Sequence, residues 1–291
     1  MGKDGGIAFV TMVRDEDLFL RIWVEYYSRF VPRAALIVLL DGLDQRLPDW
    51  AEGVQALRLP RAEPGPGWDA ARWRMISAIV SGLTERYQAV AFNDVDELIA
   101  LDPVRGTDLP GAIRAEVAAH GVVSPFALEL VHRRDLEAPL DPARPVLDQR
   151  RHARINASYC KPCLTGRPIR WSLGGHYADH PRLHLSEALF LFHLRYVDAG
   201  ILMARQARRL AMAGAAADVA GGGWSQDESQ MEAFLASIEA RPPEVTDFTF
   251  GWQRRRIRDS WRHDEQAGIW RHDTLHNRRS YVLPDRFAGL F

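Results

Sequence analysis

Residues 7–13 form an almost unbroken apolar run, IAFVTMV, which predicts a strand buried on both faces. The polar turn Arg14-Asp15-Glu16-Asp17 follows, with acidic groups that suit a helix N-terminus. Leu18, Ile22, Trp23, Tyr26, Tyr27 and Phe30 then recur at intervals of three and four, which gives a helix one apolar face until Pro32 ends it. A second strand is predicted over 35–40, running into Asp41-Gly42, and a weaker third over 54–59. A loop rich in Pro and Gly over 61–67 leads to a helix over 69–86. A fourth strand over 88–92 ends in Asn93-Asp94-Val95-Asp96-Glu97.

Strands that alternate with helices imply right-handed crossovers and a mainly parallel α/β sheet covered on both faces. Such sheets bind ligands beyond the carboxyl ends of their strands. Asp41 and the acidic cluster at 94–97 both stand at such ends, so carboxylates far apart in sequence are expected at one cleft. After Pro103 the pattern loosens: strands over 121–126 and 188–193, a helix over 197–213 with an arginine-studded outer face, a Gly/Ala-rich loop over 211–223 and a short helix over 225–240. Residues 254–291 mix Arg and Trp without a period. With no repeat and no linker, the expectation is a single domain over 1–291.

Composition narrows the class. Hydrophobic residues make up 47% and charged residues 26% of the 291, values of a folded globular chain. Lys+Arg 37 against Asp+Glu 38 leave a net charge of -1, so no global field favours nucleic acid, and anion binding falls to local patches. Lys3 and Lys161 are the only lysines; the arginine excess is read as genome composition. No stretch is apolar enough to span a bilayer and no export signal is visible, so the two cysteines, Cys160 and Cys163, are expected in a reducing cytoplasm.

The chemistry centres on AFNDVDEL. In extended chain alternate residues point the same way, so Asp94 and Asp96 are expected to address one ligand while Val95 packs behind. Carboxylate oxygens suit Mg²⁺ or Mn²⁺, whose remaining positions phosphate oxygens can fill. The run FVTMVRDEDLFLRIWVEYYSRFVPRAALIVLLDGL followed by AFNDVDELIAL resembles the glycosyltransferase family 2-like group of GT-A enzymes. SYCKPCLTGRPIRWSLGGHYADHPR and LFLFHLRYVDA are similar to later blocks of related transferases.

The resemblance implies a GT-A-like fold, with a nucleotide- and metal-binding half over 1–103, an acceptor half over 104–253 and a C-terminal extension over 254–291. It implies metal-dependent transfer, with inversion, of a sugar from a nucleotide-diphosphate donor to a glycan or lipid-linked acceptor. Carried over, it assigns Arg14 and Asp41 to the nucleotide, Asp94 to the ribose or the metal, Asp96 to the metal and Glu97 to polar support. Lys161, His176 and His193 fall where the family touches the diphosphate or completes the metal, and His193 is the expected third ligand. The serine usual after the second strand is missing from Asp41-Gly42-Leu43-Asp44.

Displacement by an acceptor hydroxyl needs a base. Asp227 and Glu228, behind the Gly-rich loop, are the candidates, with a helix N-cap as the alternative reading. Cys160, Cys163, His176 and His180 fit the C-x₂-C-x₁₂-H-x₃-H spacing of a zinc site, although Pro168 and Gly174-Gly175 disfavour the helix a finger needs. Two rivals therefore remain: a nucleotidyltransferase, which lacks here its Gly-rich, Lys-containing phosphate loop, and a non-catalytic zinc-stabilised binding protein. Arg254-Arg255-Arg256 and Arg278-Arg279 leave peripheral contact with lipid head groups open; no transmembrane segment and no nucleic-acid partner are expected.

Overall fold

The apolar run at the start of the chain becomes β1 (Gly5–Val13), whose Ala8, Phe9 and Val10 are fully buried because the sheet is covered on both faces. The structure is a computed structural model that describes residues 5–213, 226–275 and 278–291. From β1 the chain passes through α1 (Asp17–Tyr27), β2 (Leu36–Asp41), β3 (Gln55–Leu59), α2 (Trp68–Leu83), β4 (Tyr87–Phe92) and β5 (Glu97–Leu101). Then come α3 (Leu109–His120), β6 (Val122–Val131), α4 (Val146–Gln149), β7 (His152–Ile155), β8 (Leu164–Thr165), β9 (Leu185–Tyr196) and α5 (Ala199–Ala213). The remainder is α6 (Glu228–Glu239), α7 (Gly251–Asp259), the hairpin β10 (Arg262–Asp264) and β11 (Ile269–Arg271), and β12 (Tyr281–Val282).

Among the described residues ten strands form one mixed α/β sheet. β3, β2, β1 and β4 lie side by side and all parallel. Beyond β4, β8 and β6 continue antiparallel, β7 and β12 follow at the edge, and β9 pairs parallel with β6 and antiparallel with β5. The second half thus departs from the parallel rule of the first.

The apolar stripe of α1 buries Phe19, Leu20, Trp23, Val24, Tyr26 and Tyr27. Two of its tyrosines also satisfy backbone: Tyr26 Oη donates to the Ile99 carbonyl at 3.1 Å, and the Ile99 N–H donates to Tyr27 Oη at 2.8 Å. Helix and β5 are thereby locked in register just downstream of the acidic motif. One apolar cluster runs from Ile7 to Phe291. The C-terminal extension is therefore part of the core: Leu283, Phe287 and Phe291 pack into it, and Arg286 donates to both carboxylate oxygens of Asp102 at 2.7 and 3.0 Å.

Periodicity misses β5, α3, β7 and α7, where turns and short segments break the count. The arginines of α7 do not share an exposed face: Arg254 is buried against the Phe126 ring at 4.4 Å, whereas Arg255 and Arg256 are exposed. Most of the loop expected over 211–223 lies outside the described residues. Among those described, no helix is long and apolar enough to cross a membrane.

Candidate active site

β1, β2 and β4 run in one direction, so their carboxyl ends share an edge, and the chain switches direction across the sheet between β1 and β4. A cleft of about 350 Å³ opens there, a volume in the range of small-molecule sites at the position where open α/β sheets bind ligands. Arg14 from the end of β1, Asp41 from the end of β2, and Asp94 and Asp96 beyond β4 line it together. α2 adds Trp68, Asp69, Arg72 and Trp73; β9 adds His193 and Arg195; α5 adds Arg205, Arg208 and Arg209; Tyr159 and His176 complete that side.

The acidic motif is a turn, closed by the Glu97 N–H on the Asp94 carbonyl at 2.9 Å, and not the extended chain expected. Its two aspartates consequently part company. Asp94, with 36% of its side chain exposed, accepts from Lys161 Nζ at 2.9 Å, and the same ammonium lies 2.6 Å from the carboxylate of fully buried Glu97. Burial pushes the Glu97 carboxyl above its ordinary range against the pull of Lys161, while Asp94 and Glu97 together hold the buried Lys161 charged. The backbone N–H of Asp94 also donates to Glu97 at 3.2 Å, so Glu97 shapes the turn from below.

Asp96 has only 6% of its side chain exposed and is ringed by basic side chains: Arg205 Nη1 at 2.7 Å, Arg209 Nη2 at 3.8 Å and His193 Nε2 at 3.9 Å, all on Oδ2. Burial would raise its pKa; Arg205, then His193 and Arg209, override that and hold it far below the carboxylate range. Arg205 is fixed from its other edge by Glu16, 2.9 Å from Nε. The other ring nitrogen of His193 meets Glu129 at 3.1 Å, and Arg154 Nε donates to Glu129 at 2.6 Å. Burial would raise Glu129, but Arg154 and His193 bring it down to about 2. The Tyr159 ring lies tilted by 32° over His193 at 4.1 Å and meets His176 edge-on at 5.1 Å.

His176 Nδ1 lies 2.7 Å from the Ser158 carbonyl. A carbonyl can only accept, so Nδ1 carries the proton and Nε2 keeps its lone pair in the neutral ring. Burial, with Lys161 nearby, pushes its pKa down to about 4. At the end of β1, Arg14 spans to the neighbouring loop, donating to the Asp41 carbonyl at 2.7 Å and to Asp44 at 2.9 and 3.1 Å. Gly42, with φ 139°, leaves room for this: a Cβ there would stand 2.3 Å from Arg14 Nη1. Beneath α2 the Trp73 indole N–H is buried with no hydrogen-bond partner, an orphan donor in the lining of the cleft.

Compared with models of known families and with curated proteins, the chain matches none.

The cation implied for Asp94, Asp96 and His193 is tested by their surroundings. Among the described residues no three His, Cys, Asp or Glu groups are placed to hold a metal ion. Asp96 Oδ2 is taken by a guanidinium at 2.7 Å, and at an effective dielectric of about 20 two unit charges 4 Å apart repel by about 4 kcal/mol, twice that for a divalent ion. This donor set does not fit a cation at Asp96. The zinc spacing is not realised as a cluster either: Cys160 and Cys163 are buried in the main core, Cys160 Sγ accepts from the Ala127 N–H at 3.3 Å, and burial pushes its thiol up to about 12.

Asp227 and Glu228 do not line the cleft. Asp227 is the N-cap of α6 in a reciprocal capping box with Gln230, which lowers its pKa, and Glu228 begins the helix. The residues that sequence reading passed over are the arginines other than Arg14. Arg205, Arg208 and Arg209 stand at i, i+3 and i+4, a spacing that marks one helix face; the expected outer face of this helix is the one that turns into the cleft. Arg72 carried no sequence signal, and Arg195 stood in the resembling block LFLFHLRYVDA without a role of its own.

Proposed function

We propose that this chain is a GT-A-like glycosyltransferase that moves a sugar from a nucleotide-diphosphate donor to a glycan or lipid-linked acceptor. One observation carries the reading: strand-end carboxylates Asp41 and Asp94 share a cleft at the β1–β4 switch point with seven arginines, while Lys161 stands behind Asp94. Carboxylates at strand ends accept from ribose hydroxyls, as the acidic group of a dinucleotide site does. Guanidinium groups match phosphate oxygens through parallel N–H donors. Trp68 and Trp73 give the cleft an aromatic wall against which a base or a sugar can pack.

In the displacement, the acceptor oxygen bonds to the anomeric carbon and gives its proton to a base. The bond from that carbon to the diphosphate oxygen breaks, and its electron pair stays on the diphosphate. Fixed positive charge at the leaving oxygens stabilises that developing anion. The Mn²⁺ or Mg²⁺ implied by the acidic motif enters no step here, because the donor set at Asp96 does not fit it.

A thermal-shift screen of nucleotide sugars and nucleoside diphosphates, with Mn²⁺ and with EDTA, tests the reading. A bound donor at a hundred times its Kd adds about 2.7 kcal/mol of stability. A melting temperature indifferent to every one of these ligands under both conditions would sink it.

A further inference from the structure

Resting on the nucleotide-sugar reading, we propose that Arg205, Arg208 and Arg209 of α5, with Arg195 of β9, bind the donor diphosphate without a divalent cation, and that Asp96 is a positioning residue that orients two of them. The three α5 arginines lie on one helix face in the lining of the cleft, and Arg195 reaches the same cleft from β9. Arg205 is gripped through Nη1 by Asp96 at 2.7 Å and through Nε by Glu16 at 2.9 Å. Two carboxylates from different elements thus fix the plane of one guanidinium, as preorganised anion binding requires. Arg209 lies 3.8 Å from the same Asp96 oxygen, and Arg208 donates to the Asp15 carbonyl at 3.3 Å. Arg195 donates to Gln206, whose own amide donates to the Gln226 carbonyl at 2.7 Å. Each of the four arginines has a protein partner, and Arg205 has two, which a solvated arginine face does not.

The charge pattern explains how an acidic motif serves an anion. Lys161 meets Asp94 and Glu97, and Arg205 meets Asp96 and Glu16, so each pair of carboxylates nearest the array is partly offset by one cation of the protein. The work that a divalent ion does elsewhere, countering the diphosphate, falls to groups carried by α5.

Calorimetry of the full chain with UDP, GDP, ADP, CDP and inorganic pyrophosphate, first in EDTA and then with Mn²⁺, tests this. At least one nucleoside diphosphate binds in EDTA with a Kd within about threefold of that in Mn²⁺, and Arg209→Ala or Arg208→Ala weakens it about tenfold, as expected for loss of a charge-assisted pair. Asp96→Asn weakens binding by the same factor in EDTA and in Mn²⁺, because it acts through Arg205; a metal ligand would show its loss only with Mn²⁺. Binding that requires Mn²⁺ and vanishes in Asp96→Asn overturns the proposal and leaves the donor reading standing. Binding in EDTA that ignores both arginine variants overturns the α5 assignment. If no nucleoside diphosphate binds in either condition, both fall. The exposed position of Arg208 keeps the test independent of whether Asp96→Asn folds.

Discussion

Lys161 is one of two lysines in the chain and is almost wholly buried, between Asp94 and Glu97. Its ammonium compensates a carboxylate that the core would otherwise hold unpaired, and removing one partner of such a pair costs about 3–5 kcal/mol. Lys161→Met is expected to lower the unfolding free energy by about 3 kcal/mol in urea titrations. Adding Glu97→Gln removes the stranded charge, so the double variant is the more stable of the two; a double variant no better than the single would refute the ion-pair account. Such a lysine is visible in the sequence as a rarity. Its two partners are not, because one lies in the turn and the other begins the next strand.

At the scale of elements, the cleft depends on how tightly the segment carrying His176 approaches α2. Gly175 adopts φ 66° and is buried, and a Cβ there would stand 2.2 Å from the Trp73 ring. Trp73 in turn meets Phe92 and Trp171 edge-on, at 5.7 and 6.3 Å, so it cannot retreat without disturbing β4. Gly175→Ala combines a left-handed backbone with overpacking, each costing about 1–3 kcal/mol. The variant should melt lower and bind nucleoside diphosphates more weakly, since Trp73 and His176 both line the site. Unchanged melting and affinity would show that Trp73 is free to move.

For the molecule as a whole, the buried charges set a pH range. His176 is held at about 4 when folded against 6.5 unfolded, so between those values the unfolded chain binds more protons. Its contribution is complete above about pH 6.5 and is lost as pH falls toward 4, at most about 3 kcal/mol. Asp96 and Glu129, whose folded values are depressed, contribute above the ordinary carboxylate range, and their share is lost at still lower pH. Glu97, pushed up to about 7 by burial, binds its proton in the same window with the opposite sign, so the His176 share is read as the difference between wild type and His176→Gln in chemical denaturation at pH 7 and pH 5; a difference that does not change with pH assigns the protons elsewhere.

Hydrophobic period and strand-end position carried the first hundred residues: β1, α1, β2, α2 and β4 follow from runs and stripes that only one burial pattern satisfies. The same logic placed Asp41, Asp94 and Asp96 at one edge of the sheet, where the structure has them. What sequence spacing left open was direction. The acidic motif folds into a turn because Glu97 is drawn under it by Lys161, and that contact joins positions 64 residues apart. The arginine face of α5 looks inward because Asp96, Glu16 and the cleft lie on that side, whereas the i, i+3, i+4 pattern alone marks a face without saying what it meets. Local order is fixed by period and turn chemistry, within reach of a few residues; which charge neutralises which is decided only when distant elements pack.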